Sequence, residues 1–221
     1  ELVFYDITAS ADGRGIMQDV VSRVADQIFI PLTVGGGLRT IEDMKQMLES
    51  GADKVSINTA AVENPQLVSQ SADRFGSQCI VLGLDAISVP GKTNRWEVKV
   101  KTGRDGGDRT GLDAVEWAIK AAELGAGEVV VNSIDRDGTL EGYDLDLLKA
   151  INEIVNVPVV ASGGAGSPKH MFEALVDGNA DAALAASILH YGTYTIEQTK
   201  EYISRRGVPI RFSNLQLASN P

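Results

Sequence analysis

The sequence predicts an α/β fold, a (β/α)8 TIM barrel built as a twofold repeat of half-barrels. Short β-rich apolar runs alternate with helical patterns of ten or more residues, which is typical of βα units on a parallel sheet. Ile30–Thr59 and Val157–Ser187 also share one order of features: strand, glycine turn, helix, Ala-Asp just after a glycine (Gly-Ala-Asp in the first copy, Gly-Asn-Ala-Asp in the second) and strand. At 221 residues and 43% hydrophobic content, we expect a single barrel domain over residues 1–212 and a polar tail over 213–221.

The elements follow from the local periodicity of apolar residues. The predicted strands are Leu2–Ile7, Leu32–Val34, Lys54–Ile57, Ile80–Leu84, Glu128–Asn132, Pro158–Ala161 and Asp181–Ala185. The predicted helices are Thr40–Ser50, Asn64–Phe75, Leu112–Leu124, Asp144–Val155, Pro168–Asp177 and Thr195–Arg206. Several helices are followed by a glycine, which ends a helix with little strain.

The segment from Val89 to Gly111 departs from this alternation because it is long, glycine-rich and charged. Within it, the alternating stretch Trp96–Lys101 predicts a hairpin. Long loops after barrel strands are often functional lids, and a solvated surface insertion is an equally supported alternative.

The repeat also predicts a further βα unit before Glu1. The second half of the chain holds four βα units and the first half holds three, so the chain looks amino-terminally truncated. The counterpart of the absent unit is the strand that Asp85 follows. We therefore expect the absent strand to end in an acidic residue too.

The composition argues against several classes of function. A net charge of -10 and a pI of about 4.7 would repel nucleic acid, and no Lys/Arg cluster offsets this locally. Cys79 is the only cysteine, which excludes an internal disulfide and fits a reducing cytoplasm. His170 and His190 lack a neighbour at metal-ligand spacing, and no apolar run approaches membrane-spanning length. We expect no metal, no cofactor, no nucleic acid and no membrane.

Each copy of the repeat carries a candidate anion-binding turn. A glycine run follows an apolar strand, and main-chain N–H groups there can face a ligand at the beginning of a helix. Each copy then closes its next strand with small residues. The two sets are Gly36, Gly37, Asn58 and Thr59 in the first copy, and Gly163, Gly164, Ala186 and Ser187 in the second. Two such sets suggest a ligand with two phosphates.

Asp85 is the leading candidate for catalysis. It directly follows an apolar strand, and the carboxyl ends of barrel strands carry the active site. An isolated carboxylate there would be costly without a partner or a chemical role, although capping of the next loop is the alternative. Other polar or small residues at strand ends are expected to line the ligand, with turn formation as the alternative: Asp6, Asn132, Ser133, Asp137 and Gly138.

Lys54 begins a strand, so we expect it at the opposite, amino-terminal mouth of the barrel with Glu1 and Glu128. Charges at that mouth usually form structural salt bridges, although a partner or a channel could use them.

Motifs along the whole chain resemble one known family. They are DITAS, VGGG, GADKVSINTAAVENP, LDA, TGLDAVEWA, SIDRDGT, GYD, ASGGAG and DAALAAS. Together, from Glu1 to about Phe212, they are similar to the cyclase subunit of imidazole glycerol phosphate synthase, a twofold-repeated barrel of histidine biosynthesis that binds a substrate with two phosphates.

The resemblance implies a heterodimer in which a glutaminase subunit supplies ammonia through the amino-terminal mouth. Two aspartates act as general acid and base in this family, and Asp85 fits one, while the other belongs to the absent first unit, so the chain alone is expected to be impaired. Two sets of residues are similar to phosphate sites, namely Gly37, Asn58 and Thr59, and Gly138, Gly164, Ala186 and Ser187. Asp6 and Asp137 are similar to supporting active-site residues. Glu1, Lys54 and Glu128 are similar to the charged ring at the ammonia entrance, with Asp53 near the partner.

Two alternatives stay open. The phosphoribosyl-formimino isomerase of the same pathway shares the half-barrel repeat and both phosphate sites but uses no ammonia; the motifs SINTAA and SIDRDGT favour the cyclase. The second alternative is not an enzyme but an inactive fragment that only binds a partner. It is considered because an incomplete barrel exposes two strand edges.

Overall fold

The structure, a computed structural model, describes residues 1–7, 18–103 and 106–212. In chain order its strands are β1 (Leu2–Tyr5), β2 (Leu32–Gly35), β3 (Lys54–Ile57), β4 (Ile80–Ser88), β5 (Trp96–Val100), β6 (Asp108–Asp113), β7 (Glu128–Ser133), β8 (Val159–Ser162) and β9 (Ala182–Ala183). The order β1-β2-β3-β4-β7-β8-β9 forms one parallel sheet, in which each strand pairs with the next of that order. This curled sheet, with helices between successive strands, confirms the predicted (β/α)8 TIM-barrel type of fold.

Helices connect most of the parallel strands. They are α1 (Gln18–Ala25), α2 (Ile41–Glu49), α3 (Thr59–Glu63), α4 (Gln66–Phe75), α5 (Ala114–Glu123), α6 (Leu145–Asn152), α7 (Pro168–Val176), α8 (Ser187–His190) and α9 (Ile196–Ser204), with a 3-10 turn at Ser77–Cys79. Side-chain caps determine where several begin: Thr40 and Asp43 form a capping box at α2, and Thr195 and Gln198 form another at α9. None of the helices in the described part of the chain combines the length and apolar character needed to span a bilayer.

The main core lies between the sheet and the helices. Alternate residues of the strands point outward, including Val34, Leu82 and Val129, and they pack against buried helix residues such as Met44 and Leu147. Full burial of a side chain of this size contributes roughly 1.5–3 kcal/mol, so this layer accounts for much of the stability. The other alternate residues face the barrel interior.

The long segment after β4 forms more regular structure than predicted. β4 continues past Leu84 to Ser88 and pairs antiparallel with β5, which pairs antiparallel with β6. The helix predicted from Leu112 begins at Ala114 instead, because Asp113 ends β6 and its side chain caps α5 through the N–H groups of Val115 and Glu116. The pair β5 and β6 places a small antiparallel sheet at the carboxyl-terminal mouth of the barrel.

Other differences from the predicted elements are local. The helix α1 and the short helices α3 and α8 were not predicted, and most boundaries differ by one or two residues. Within the described residues, β1 and β9 each pair with one parallel neighbour. The polar tail, the part of the DITAS motif after Ile7 and two residues of the Val89–Gly111 segment lie outside the described residues.

Candidate active site

Asp85 lies at the centre of a polar cluster at the carboxyl-terminal mouth. Asn58 at the end of β3 donates from Nδ2 to Asp85 Oδ2 over 2.9 Å, and Asn132 of β7 donates from Nδ2 to Oδ1 over 2.8 Å. Thr102, just beyond β5, donates from its hydroxyl to Oδ2 over 2.6 Å. Both carboxylate oxygens are therefore hydrogen-bonded, which fixes the orientation of the side chain.

Two opposing effects act on the Asp85 carboxyl. Burial raises its pKa above the ordinary value, the hydrogen bonds from Thr102, Asn132 and Asn58 oppose this, and the negative charge of Asp137 adds to the increase, so that the net direction is upward. A carboxyl whose pKa is raised is a stronger base than an ordinary carboxylate, which favours a role in proton transfer. Its hydrogen bonds and its environment therefore make Asp85 the candidate for proton transfer at this mouth.

The small antiparallel sheet contributes directly to this mouth. Asn58 Nδ2 also donates to the main-chain oxygen of Lys99 over 3.1 Å, and the N–H of Lys101 donates to Thr59 Oγ1 over 3.1 Å. The end of β5 thus lies over the residues that follow β3. Sequence reasoning missed Thr102, because it lies in a glycine-rich, charged stretch without a regular pattern.

The first glycine turn follows β2. Gly36 and Gly37 have φ angles of 96° and 72°, in the region that favours glycine. A Cβ on Gly36 would collide with the main-chain oxygen of Asp6, so the close approach of these two strand ends requires glycine at this position. The Asp6 side chain is buried beside this turn.

The second glycine turn has the same design. Gly163 and Gly164 follow β8 with φ angles of 82° and 102°. A Cβ on Gly164 would collide with the main-chain oxygen of Gly142, and the N–H of Gly142 donates to the oxygen of Gly164 over 2.8 Å. Both turns are therefore held by direct main-chain packing at the mouth.

The repeat extends to the backbone after the next strand of each copy. Asn58 has φ -124° and ψ -81°, and Ala186 has φ -119° and ψ -75°. Each is followed by a helix of one turn, at Thr59 and Ser187, and neither makes a side-chain cap. The amide oxygen of Asn58 is buried and has no partner among the described residues.

The Ala-Asp pairs of the two copies have matching structural roles. Asp53 Oδ2 accepts from the N–H of Leu32 over 2.8 Å, and Asp181 Oδ2 accepts from the N–H of Val159 over 2.8 Å. Each aspartate thus accepts from the first N–H of the strand that precedes it in the chain, β2 for Asp53 and β8 for Asp181. Asp53 was predicted near a partner surface, and the structure places it exposed at the amino-terminal face with this structural bond.

The remaining predicted residues of this mouth differ in orientation. Asn132 faces Asp85, whereas the next side chain along β7, Ser133, points to the opposite face and is 1% exposed. The side chain of Ser133 therefore does not line the mouth as predicted, although its main-chain oxygen accepts from the N–H of Asp137. Asp137 and Gly138 are exposed on the loop after β7.

The amino-terminal mouth carries a cluster of three charges. Lys54 Nζ lies 2.6 Å from Glu128 Oε2 and 3.2 Å from Glu1 Oε2. Burial alone lowers the pKa of Lys54, but the hydrogen bonds and charges of Glu128 and Glu1 outweigh it and the net shift is upward. Asn58, at the opposite mouth, follows the same strand four residues after Lys54. At about 3.3 Å per residue, the two mouths are about 13 Å apart.

Small and polar side chains line part of the interior between these ends. The Tyr5 hydroxyl lies 3.2 Å from Ser56 Oγ, and burial of this end of the ring raises the pKa of Tyr5 to about 12. Gly35 and Gly83 pack against this pair, and a Cβ on Gly35 would collide with the Tyr5 ring. The buried hydroxyl of Thr33 has no partner within the described residues.

Within the described ranges, no group of three or more His, Cys, Asp or Glu residues is placed to hold a metal ion.

A family model described as "Histidine biosynthesis protein" matches residues 1–195. The match covers most of the chain, including Asp85, both glycine turns and the charged cluster. The chain therefore belongs to the histidine biosynthesis protein family and is an enzyme of that pathway.

Proposed function

We propose that this protein is the cyclase subunit of imidazole glycerol phosphate synthase. The observation that carries the proposal is the arrangement of Asp85 between two backbone-built glycine turns at one mouth, with a charged cluster at the other. The two glycine turns with Asp85 between them fit an elongated substrate that has a phosphate at each end. The charged cluster fits a reactant that enters from the opposite mouth.

The two glycine turns support the binding of two phosphates. Each presents main-chain groups after a parallel strand, at Gly36–Gly37 and at Gly163–Gly164, and each is accompanied by a one-turn helix from the same copy of the repeat. Main-chain N–H groups in turns of this kind bind anions well. The substrate would lie across the mouth, with its reacting carbons near Asp85.

Asp85 has the position and environment for proton transfer in this reaction. Ammonia adds to the ketone of the ribulosyl group, water leaves, and closure onto the formimino carbon forms the imidazole ring and releases aminoimidazole carboxamide ribotide. Each stage moves protons between nitrogen and oxygen atoms, and Asp85 serves as one of the two acid–base groups that the resemblance implies for these transfers.

The other mouth supports the use of ammonia and a glutaminase partner. Lys54, Glu1 and Glu128 form a charged cluster at the beginning of the strands, while Thr33 and Ser56 supply hydroxyl groups inside the barrel. An interior with small and polar side chains suits the passage of a small polar molecule. The exposed Asp53 lies at the same face and is proposed to contact the partner.

Turnover with ammonium salts tests the proposal. The full-length protein is assayed for release of aminoimidazole carboxamide ribotide from the bisphosphorylated ribulosyl-formimino substrate, without a glutaminase. We expect the rate to rise with the concentration of free ammonia. The Asp85→Asn variant provides the matched control for background reaction.

Two outcomes would contradict the proposal. Conversion of the formimino aldose into its ribulosyl isomer, at a rate independent of ammonia, would identify the isomerase of the same pathway. Binding of a glutaminase subunit without any turnover, in a protein that is folded, would identify a non-catalytic partner.

A further inference from the structure

Lys99 has an unusual position on β5. It lies directly across from Asp85 in the antiparallel pairing of β4 and β5, and opposite residues of such a pair share one face of the sheet. Its main-chain oxygen accepts from the Asn58 amide that also binds Asp85. The Lys99 side chain therefore starts from the face that Asp85 presents to the mouth.

Lys99 is buried and forms no salt bridge within the described residues. The residue is 9% exposed, and within residues 1–7, 18–103 and 106–212 no carboxylate oxygen lies within 4.0 Å of it. Glu97 is on the same face, and the charge of Lys99 contributes to the lowered pKa of Glu97, but the Glu97 carboxylate makes its hydrogen bonds to Arg109 Nη1 and the N–H of Gly111, each over 2.7 Å. A buried charge of this kind is costly unless another group compensates it.

Lys101, the next lysine of the same segment, differs from Lys99 in exposure and in its partner. Lys101 is exposed and its Nζ lies 3.2 Å from Glu63 Oε1. Each of the two lysines carries one positive charge, but only Lys101 has a carboxylate partner within 4.0 Å in the described part of the chain. This contrast makes Lys101 a matched control for removal of one charge from this segment.

The surroundings indicate what would compensate Lys99. The protein has a net charge of -10, and Asp85 and Asp137 add negative charge at this mouth, so a dianionic ligand needs a local cation. The amide oxygen of Asn58 is a buried acceptor without a partner among the described residues. An anion with a neighbouring hydroxyl group, such as a sugar phosphate, would satisfy both groups.

We propose that Lys99 binds the phosphate group held at Gly37, Asn58 and Thr59, so that the small antiparallel sheet supplies the cation of the first phosphate site. This inference rests on the proposed function and adds a residue that the glycine turns do not include. Lys99 fixes one end of the substrate while Asp85, across the strand pair, acts on its centre.

A titration with inorganic phosphate, followed by ¹H–¹⁵N NMR, tests this. The amide of Gly37 reports the first site, and the amide of Gly164 reports the second site in the same sample. In Lys99→Met, we expect the Kd at Gly37 to rise about tenfold, as for loss of a hydrogen bond to a charged group, while the Kd at Gly164 stays unchanged. Lys101→Met should leave both values within about twofold, because an exposed pair contributes little.

The outcomes separate this inference from the proposed function. No phosphate response at either glycine in the unsubstituted protein would overturn both. A response at Gly37 that is unchanged in Lys99→Met would overturn the role of Lys99 alone. If Lys99→Met fails to fold, Lys99→Gln and Lys99→Arg give the same comparison, and only the arginine variant should retain the affinity at Gly37.

Discussion

Replacement of Asp85 by asparagine is the sharpest test of the candidate active site. Asp85 accepts hydrogen bonds of 2.6, 2.8 and 2.9 Å. An asparagine of the same size keeps its oxygen toward Thr102 and Asn58, and its amide group then faces Asn132, whose own amide can turn to accept. The substitution therefore removes the proton-transferring group with little change in shape.

The expected loss of activity is large. General acid and base catalysis contributes roughly 10²- to 10⁴-fold, so kcat/KM of Asp85→Asn in the ammonium-dependent assay should fall by this factor, or about 3–5 kcal/mol in activation free energy. The free energy of unfolding at neutral pH should fall by no more than about 1 kcal/mol, because one hydrogen bond is rearranged and the substitution also removes a buried charge. The exposed Asp146→Asn provides the control and should retain full activity.

The pH dependence of stability gives an independent check. Burial raises the pKa of Asp85 in the folded state, so the folded protein holds this proton at a pH where the unfolded chain, with a pKa of about 3.9, has lost it. The stability of the protein relative to Asp85→Asn should therefore decrease as the pH rises from about 3.9 to the raised pKa and then stay constant. A variant that keeps more than a tenth of kcat/KM while folded, or an opposite trend with pH, would refute the role of Asp85.

Three further predictions concern the surrounding structure. Lys54→Met leaves Glu128 partly buried without its partner, so calorimetry should show a loss of about 1–2 kcal/mol in unfolding free energy, less than for a fully buried pair. Because the pKa of Lys54 is raised, its stabilising contribution is present below about pH 10.4 and is lost as the pH rises through the folded-state pKa. A loss of stability that Glu128→Gln does not reverse in the double variant would argue against this pairing. Thr102→Val removes a hydrogen bond that lowers the pKa of the Asp85 carboxyl, so, with Asp85 in the proposed role, the acid limb of the pH–rate profile should move to higher pH. Thr110→Val should leave the limb in place, because the Thr110 hydroxyl donates to a main-chain oxygen in the same sheet. Gly36→Ala should lower the free energy of unfolding by at least about 1–2 kcal/mol, because its φ is positive and a Cβ collides with main chain; an unchanged Tm would contradict this.

The repeat made the barrel and its glycine turns predictable from the sequence. Apolar strands and Ala-Asp pairs occur at matching places. The structure shows the same match in hydrogen bonds, because Asp53 and Asp181 each accept from the first N–H of the strand that precedes them in the chain. Asp85 could be located because it follows an apolar strand. Its position depended only on local sequence and on the general geometry of parallel strands.

The features that the sequence did not reveal depend on contacts between distant segments. Thr102 reaches Asp85 only because β4 continues beyond the barrel and folds back against β5. The orientation of Ser133 depends on the register of β7 with its neighbours. The helices α3 and α8 are too short to show a periodic pattern, so main-chain geometry after Asn58 and Ala186 had to be observed.

Peptide N–H groups do not ionise at physiological acidity, and this has a consequence for turns that are built from Gly36 and Gly163. The attraction of these N–H groups for an anion therefore stays constant as the pH changes. A phosphate monoester gains its second negative charge near pH 6. For the proposed substrate, capture at these turns would strengthen as the solution passes from mildly acidic to neutral, governed by the titration of the metabolite itself.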